Sequence, residues 1–298
     1  MKCTSPLTAY LAEGGGLIFH PLKRHGDSRE IKIPCRQCLS CRLNRSSEWQ
    51  TRLIHEGKRH SSKIFLTLTY DNENLPEFGS LQTRHLQLFI KRLRKAISPI
   101  KIRYYACGEY GDTTRRAHYH AIIYGWEPSD GSFHSSSVTG DKLYISSLLS
   151  QLWTFGNHLY SPADEGTMGY VARYSVKKQT GQTGKDVYKH VDDDTGELTP
   201  IKPPFAIMSL RPMIGADHLD AFKDDYFRLG STIINGVRKP LPIAYVRKLK
   251  KLRPDWHVDF VDAGAEYAFQ HRADLTYQRL AVADEVLKAK TKSLQRKL

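Results

Sequence analysis

The sequence predicts an α+β fold, in which helices flank a central antiparallel sheet and helical extensions lie at both ends of the chain. Segments rich in β-branched and aromatic residues, which are typical of strands, occur at residues 63–70, 103–110 and 117–124. Between the first two, residues 84–97 carry apolar side chains at helical spacing. A short turn that begins at Gly111 joins the last two strands, so we expect them to pair in antiparallel fashion.

The composition is that of a folded, strongly basic protein. Among the 298 residues, 45 Lys and Arg outnumber 31 Asp and Glu, which gives a net charge of +14. An excess of this size predicts nucleic acid as the partner, because cationic side chains release the counterions of phosphates. The apolar share of 40% excludes a disordered basic tail. No apolar run approaches the ~20 residues that cross a bilayer, so no membrane partner is expected.

The cysteines indicate reduced thiols or metal ligands. The chain has five, and its N-terminus lacks the continuous apolar core of a signal peptide, so we expect a cytoplasmic compartment without disulfides. Three cysteines follow one another at three-residue spacing: Cys35, Cys38 and Cys41. They are close enough to share Zn²⁺, with a fourth ligand from Cys3, His20 or His25. The alternative is a group of reduced thiols near a helix start, with no metal.

The remaining elements follow from local composition. After Pro34, residues 36–56 are predicted to form a basic helix. The polar, Gly- and Ser-rich residues 127–142 indicate a loop, and residues 181–204 an exposed insertion. Further helices are predicted at residues 147–155, 170–178, 216–228 and 274–298. The chain then divides into a basic Cys-containing segment (residues 1–60), a core (residues 61–180), and the insertion with a mostly helical C-terminal region (residues 181–298).

A His-x-His pair on a predicted strand indicates a metal site. His118 and His120 lie two residues apart, so their side chains share one face of the strand. The turn folds Glu109 of the neighbouring strand back beside them. Two imidazoles and one carboxylate with open positions suit a divalent cation that acts on a substrate. The alternative is hydrogen-bonded sheet histidines with a solvated glutamate.

Two tyrosines share a predicted helix face farther along the chain. Tyr170 and Tyr174 are four residues apart, and Lys177 extends the same stripe. Tyrosines at this spacing are often half-buried packing residues. A tyrosine hydroxyl also acts as a nucleophile in phosphoryl transfer when the phosphate charge is neutralised.

Three motifs in this order resemble those of the HUH endonucleases. They are Phe65-Leu-Thr-Leu-Thr69, Gly108-Glu109 followed by His118-x-His120, and Tyr170-x-x-x-Tyr174-x-x-Lys177. These enzymes initiate rolling-circle replication of small circular DNAs, and the chain looks most like the initiators of microviruses, in particular the gokushovirus branch. One departure is Tyr119, which stands where the family has a bulky apolar residue.

The resemblance implies an HUH-like fold and a reaction. The enzyme would nick one strand at a single-stranded DNA origin, keep the 5′ phosphate on tyrosine, and religate the strand to release a circle. Mg²⁺ or Mn²⁺ would be held by Glu109, His118 and His120. Tyr170 and Tyr174 would be the nucleophiles and Lys177 an electrostatic helper. Because Tyr174 has the spacing to Lys177 that single-tyrosine relatives show, it would be the dominant nucleophile.

The resemblance also implies partners in the cytoplasm of a bacterial host. The Gly-rich residues 181–186 lack the spacing and hydroxyl of a phosphate-binding loop, so a host helicase would separate the strands and a host DNA polymerase would extend the 3′ end. Two other hypotheses remain. One is a non-catalytic basic or zinc-containing nucleic-acid-binding protein, which leaves the tyrosine helix unexplained. The other is a related HUH relaxase or transposase, although a relaxase typically presents three clustered histidines.

Overall fold

The computed structural model describes residues 2–11, 17–20, 29–177, 187–192 and 194–295. The chain forms two compact units. The first combines Met1–Arg45 with Pro254–Leu298, and the second is Ser46–Arg253. The second unit contains a seven-stranded antiparallel sheet flanked by helices, so the predicted α+β class is confirmed. The division into segments 1–60, 61–180 and 181–298 stays a prediction.

The elements follow one another along the chain without an internal repeat. The N-terminal part contains β1 (Leu7–Leu11), β2 (Leu17–Ile18), β3 (Arg29–Ile33) and α1 (Leu39–Gly57). The middle part contains β4 (Lys63–Thr69), α2 (Thr83–Ala96), β5 (Arg103–Tyr110), β6 (Ala117–Tyr124), β7 (Gly131–Ser136), β8 (Lys142–Ser146), α3 (Ser147–Leu152), β9 (His158–Pro162) and α4 (Glu165–Lys177).

The C-terminal part is also mixed. It contains β10 (Lys189–Val191), β11 (Leu198–Pro200), β12 (Phe205–Met208), α5 (Ala216–Ala221), α6 (Lys223–Leu229), β13 (Ser231–Ile234), β14 (Val237–Pro240), α7 (Ile243–Leu252), α8 (Pro254–Gln270) and α9 (Tyr277–Gln295). Short 3₁₀ helices lie at Glu77–Gly79 and Arg272–Leu275. In the described residues of this structure, no helix combines the length and the apolar character needed to span a membrane.

The large sheet has the strand order β12-β5-β6-β4-β9-β8-β7, and every neighbouring pair is antiparallel. Alternate residues of the central strands therefore point to opposite faces. On β4, Ile64, Leu66 and Leu68 are buried in one hydrophobic cluster together with the apolar residues of α2. Phe65, between them, packs against a second cluster that includes residues of α1 and α4.

The two clusters give the sheet one face for stability and another that also carries polar groups. The face toward α2 and α3 is almost entirely apolar and aromatic. The face toward α1 and α4 contains, beside its apolar core, the buried polar residues Glu109 and His120. Burying ionisable groups beside a core is costly unless they are paired, which marks this face as the one to inspect for function.

Several predicted elements differ from the structure. Residues 127–142 are not a loop, because β7 forms the outer edge of the sheet and pairs with β8. Nearly all of β7 is exposed, so its sequence shows no apolar alternation. The helix predicted to begin at Arg36 begins at Leu39, since Arg36 has a φ of 63°. The helix predicted at residues 216–228 is broken at Phe222 into α5 and α6.

The other predicted helices form with shifted ends. The first ends at Leu152, the tyrosine-containing helix α4 already begins at Glu165, and the last begins at Tyr277. Part of the predicted insertion, residues 178–186 and 193, lies outside the described residues, while β10 and β11 form a hairpin within it. The sequence did not predict the three-stranded sheet β2-β1-β3 or the addition of β12 to β5.

Candidate active site

Two hydrogen-bonded strands place the predicted metal ligands on one face of the large sheet. In the register of β5 and β6, Glu109 lies opposite His118, and Cys107 lies opposite His120. The tight turn between the strands fixes this register, and the two-residue period directs all three candidate side chains to the same side. On the other side of β6, Thr67 of β4 lies opposite His120.

The three candidate ligands converge on one point. His118 Nε2 lies 2.8 Å from Glu109 Oε1, and His120 Nε2 lies 3.3 Å from the same oxygen. One ligand atom from each of the three residues can be chosen so that all lie within 4.8 Å of one another. This separation allows all three to coordinate a single ion.

Hydrogen bonds from the far side of each imidazole fix its orientation. His118 Nδ1 donates to the carbonyl oxygen of Arg116 over 3.1 Å, and His120 Nδ1 lies 3.0 Å from Thr67 Oγ1. Metal-binding histidines commonly have such an outer partner, which leaves Nε2 to face the ion. Thr67 and Arg116 thus have positioning roles that sequence reasoning missed. The signal for Thr67 was its alternate position on β4, two residues after Phe65.

The electrostatics of the site favour a cation. Burial raises the pKa of Glu109, but hydrogen bonds and positive charge from His118 and His120 outweigh this effect and lower its pKa to about 2. The carboxylate is therefore ionised at neutral pH. Its second oxygen, Oε2, is buried and has no hydrogen-bond partner among the described residues. A buried anionic oxygen of this kind fits a divalent cation well, since coordination would satisfy it.

Both tyrosines of α4 lie against the same histidine. The ring of Tyr174 stacks on His120 with 5.2 Å between centroids, and Tyr170 meets His120 edge-on at 5.4 Å. The two tyrosine rings are 5.0 Å apart and nearly perpendicular. Phe65 supports this arrangement, because it stacks on His120 at 5.3 Å and meets the edge of Tyr170 at 5.8 Å.

The two tyrosines differ in exposure. Tyr174 is only 6% exposed, whereas Tyr170 is half-buried. Burial and the negative charge of Glu109 raise the pKa of Tyr174 well above its ordinary value, so its hydroxyl keeps its proton in the absence of a cation. Lys177 is the last residue of α4, and its side chain lies outside the described residues. Its predicted electrostatic role stays a prediction.

In the first unit, the cysteines form a second group. Cys35, Cys38 and Cys41 come together with Cys3, and one ligand atom from each lies within 4.8 Å of the others. Of the three fourth members that the sequence left open, the structure thus brings Cys3 to the group. His20 is not a member, and His25 lies outside the described residues.

Comparisons with known proteins agree with the placement of these motifs. The family model for the ORF2-type replication-associated protein matches residues 63–179, a span that runs from β4 through α4. Replication-associated protein VP4 of Bdellovibrio phage phiMH2K is 31% identical over 270 residues, which cover 87% of this chain and 81% of that protein. The chain belongs to the family of phage replication-associated proteins.

Two further members of the family show how far the similarity extends. Replication-associated protein ORF4 of Chlamydia phage 1 is 29% identical over 85% of this chain and 60% of its own length. Replication-associated protein ORF2 of Spiroplasma virus 4 is 34% identical over 60% of this chain and 61% of its own length. No solved structure matches the chain. The predicted resemblance to replication proteins of microviruses is confirmed.

Proposed function

We propose that this replication-associated protein initiates rolling-circle replication by cutting one strand of DNA at an origin and later rejoining it into a circle. The observation that carries the proposal is the convergence of Glu109, His118 and His120 directly beside two tyrosines that both contact His120. A cation site with an adjacent hydroxyl pair is the minimum equipment for metal-assisted phosphoryl transfer to tyrosine.

The metal would be Mg²⁺ or Mn²⁺, held by Glu109 Oε1 or Oε2 and the Nε2 atoms of His118 and His120. One carboxylate and two imidazoles leave several positions open for phosphate oxygens and water. When bound, such a cation polarises the phosphodiester and neutralises its negative charge. Thr67 and the carbonyl of Arg116 hold the two imidazoles in position for this ligation.

The tyrosine hydroxyls would supply the nucleophile. In the first step, the hydroxyl oxygen of Tyr174 or Tyr170 forms a bond to phosphorus and the bond between phosphorus and the DNA 3′ oxygen breaks. The tyrosine loses its proton and the departing 3′ oxygen gains one. The 5′ phosphate stays on the protein and the free 3′ hydroxyl primes synthesis. In the reverse reaction, a 3′ hydroxyl attacks the phosphotyrosine, which seals the strand and restores the tyrosine.

DNA binding follows from the family and suits the charge of +14. A single-stranded origin as substrate, a host helicase and DNA polymerase as partners, and the cytoplasm of a bacterial host as location are parts of the same proposal. A purely nucleic-acid-binding role, without catalysis, is the competing proposal. It gives no reason for the placement of two tyrosine rings on a candidate metal ligand.

The decisive experiment detects the covalent intermediate. The purified protein is incubated with labelled single-stranded origin DNA, with Mn²⁺ or with EDTA, and denatured adducts are separated and digested for mass spectrometry. We expect a metal-dependent adduct whose DNA is attached to Tyr170 or Tyr174. Tyr277→Phe, at an 88% exposed tyrosine, is the matched control and should form the adduct normally. Absence of the adduct under all metal conditions, or attachment elsewhere, contradicts the proposal.

A further inference from the structure

We propose that the replication-associated protein carries a structural Zn²⁺ ion bound by Cys3, Cys35, Cys38 and Cys41. This inference is independent of the proposed nicking reaction and concerns the architecture of the first unit. The spacing of the last three cysteines gave no fourth ligand. Its assignment to Cys3 depends on the folded structure, in which a residue more than thirty positions away reaches the other thiols.

The distances between the sulfur atoms fit a tetrahedral ion. Zn–S bonds of about 2.3 Å in a tetrahedron place the sulfurs about 3.8 Å apart. Cys3 Sγ lies 3.5 Å from Cys35 Sγ and 3.7 Å from Cys38 Sγ, and all four sulfurs lie within 4.8 Å of one another. Four thiols thus already surround a volume the size of one ion.

The backbone around the cluster is arranged to stabilise negative sulfur. The Cys35 N–H donates to Cys3 Sγ over 3.3 Å, and the Cys38 N–H donates to Cys35 Sγ over the same distance. The Gln37 N–H also donates to Cys35 Sγ over 3.4 Å. The positive φ of Arg36, 63°, produces the turn that aims these groups at one sulfur. Hydrogen bonds to thiolates are charge-assisted, and outer-shell donors of this kind accompany metal ligands.

Packing does not account for the cluster. Each of the four cysteines is partly exposed, and none belongs to the hydrophobic clusters of the structure. Cys107, in contrast, is 2% exposed and lies in the core near α4, as a free cysteine with a packing role would. Soft thiolate ligands in a tetrahedral set select zinc among the metals available in a cell.

The site would join separate parts of the first unit. Cys3 precedes β1, whereas the other ligands lie between β3 and the first turn of α1. The neighbours of Cys3 extend the connection, because Lys2 Nζ donates to Asp274 over 2.7 Å and Thr4 Oγ1 donates to Asp284 of α9 over 2.8 Å. With four protein ligands the ion has no open position, so its role is structural rather than catalytic.

Metal analysis of the full-length protein tests the proposal. We expect about one Zn²⁺ per chain after purification without added metal. Cys3→Ser and Cys38→Ser should lose most of this zinc, while Cys107→Ala should retain it. After replacement of the zinc by Co²⁺, thiolate-to-cobalt charge-transfer absorption should appear in the wild type and in Cys107→Ala, and be lost from the two ligand variants.

Hydrogen exchange provides a readout that does not depend on activity. Removal of zinc, or the Cys3→Ser change, should increase exchange in β1 and α9 and leave exchange in β5 and β6 unchanged. A protein without zinc whose four thiols react freely, or form disulfides detected by intact mass, overturns the proposal. So does stoichiometric binding of iron instead of zinc. None of these results would affect the test for the tyrosine adduct.

Discussion

The aromatic ring of Tyr174 lies nearly parallel to the imidazole of His120, with an interplanar angle of 7° and 5.2 Å between centroids. The contact links the proposed nucleophile to a proposed metal ligand without an intervening residue. Tyr170, one helical turn earlier, contacts the other edge of the same system. These relationships lead to four predictions about catalysis and stability.

Loss of either histidine should abolish cleavage while DNA binding persists. We expect His118→Ala or His120→Ala to lower the rate of metal-dependent nicking by about 100-fold or more, because removing a ligand exceeds the 10- to 100-fold cost of removing an outer-shell partner. Affinity for single-stranded DNA, measured by fluorescence anisotropy, should stay near the wild-type value, since lysine and arginine contacts to phosphates carry it. His134→Ala, at an exposed histidine, is the control. Normal nicking by a His118→Ala, His120→Ala double variant contradicts the metal assignment.

The two tyrosines should be redundant for one cut but not for repeated turnover. Tyr170→Phe and Tyr174→Phe should each retain some nicking, with the larger loss in Tyr174→Phe, and the double variant should have none. Release of closed circles requires a second strand transfer while one tyrosine is esterified, so either single variant should fail to accumulate them. Gel analysis of nicked and circular products measures both steps. Repeated recircularisation at the wild-type rate by Tyr170→Phe would reduce that residue to a packing role.

Thr67 should tune the metal site through His120. Thr67→Val keeps the shape of the side chain but removes the oxygen that lies 3.0 Å from His120 Nδ1. We expect about tenfold weaker Mn²⁺ binding, measured by calorimetry, and a matching rise in the Mn²⁺ concentration needed for half-maximal nicking.

Two further variants separate positioning from general damage to β4. Thr67→Ser should restore Mn²⁺ affinity, because it restores the hydroxyl. Thr69→Val, two residues along the strand, removes a hydroxyl that donates to the Asn157 carbonyl and should leave Mn²⁺ affinity unchanged. Equal losses in Thr67→Val and Thr69→Val would show that neither hydroxyl acts specifically through His120.

Buried histidines away from the site should make folding stability depend on pH. His55 and His218 stack with 4.0 Å between ring centroids. Burial, the charge of His218 and that of Lys58 lower the pKa of His55 to about 3, while burial with Lys58 and Arg59 lowers that of His218 to about 4. The unfolded state therefore binds protons first as the pH falls below about 6.5.

The free energy of unfolding should consequently fall between pH 6.5 and pH 4. At pH 5 the effect of His55 alone is about 2 kcal/mol. Urea denaturation at pH 7 and pH 5 measures it, and His55→Gln should show a smaller difference between the two values. The exposed-site variant His134→Gln should keep the wild-type difference. Identical pH dependence in His55→Gln and the wild type contradicts the prediction.

Local sequence patterns were sufficient for some features of the fold and insufficient for others. The relation of Glu109 to His118 depends on one tight turn between adjacent strands, so the two-residue period predicts it. The helix α2 also has a clear apolar stripe. The edge strand β7 is almost fully exposed, and an exposed strand needs no alternation of apolar residues. The pairing of β12 with β5 joins segments about a hundred residues apart, and no local signal encodes it.

The same distinction applies to the candidate site. Thr67 reaches His120 only because β4 and β6 pair in one particular register, and the long connection between these strands does not fix it. The position of α4 over His120 depends on packing among residues from α1, the sheet and α4 itself. Likewise, the closeness of Cys3 to Cys35 results from chain folding rather than spacing.

The candidate metal ligands all come from two paired strands, whereas both tyrosines come from one helix. The cation pocket is therefore complete without α4, and its formation does not require the helix to be chemically unmodified. A tyrosine that carries a DNA strand would leave the three ligands intact for its neighbour. Physical separation of these supports lets one catalytic centre serve successive strand exchanges, with the used and the unused hydroxyl exchanging duties over one unchanged ion.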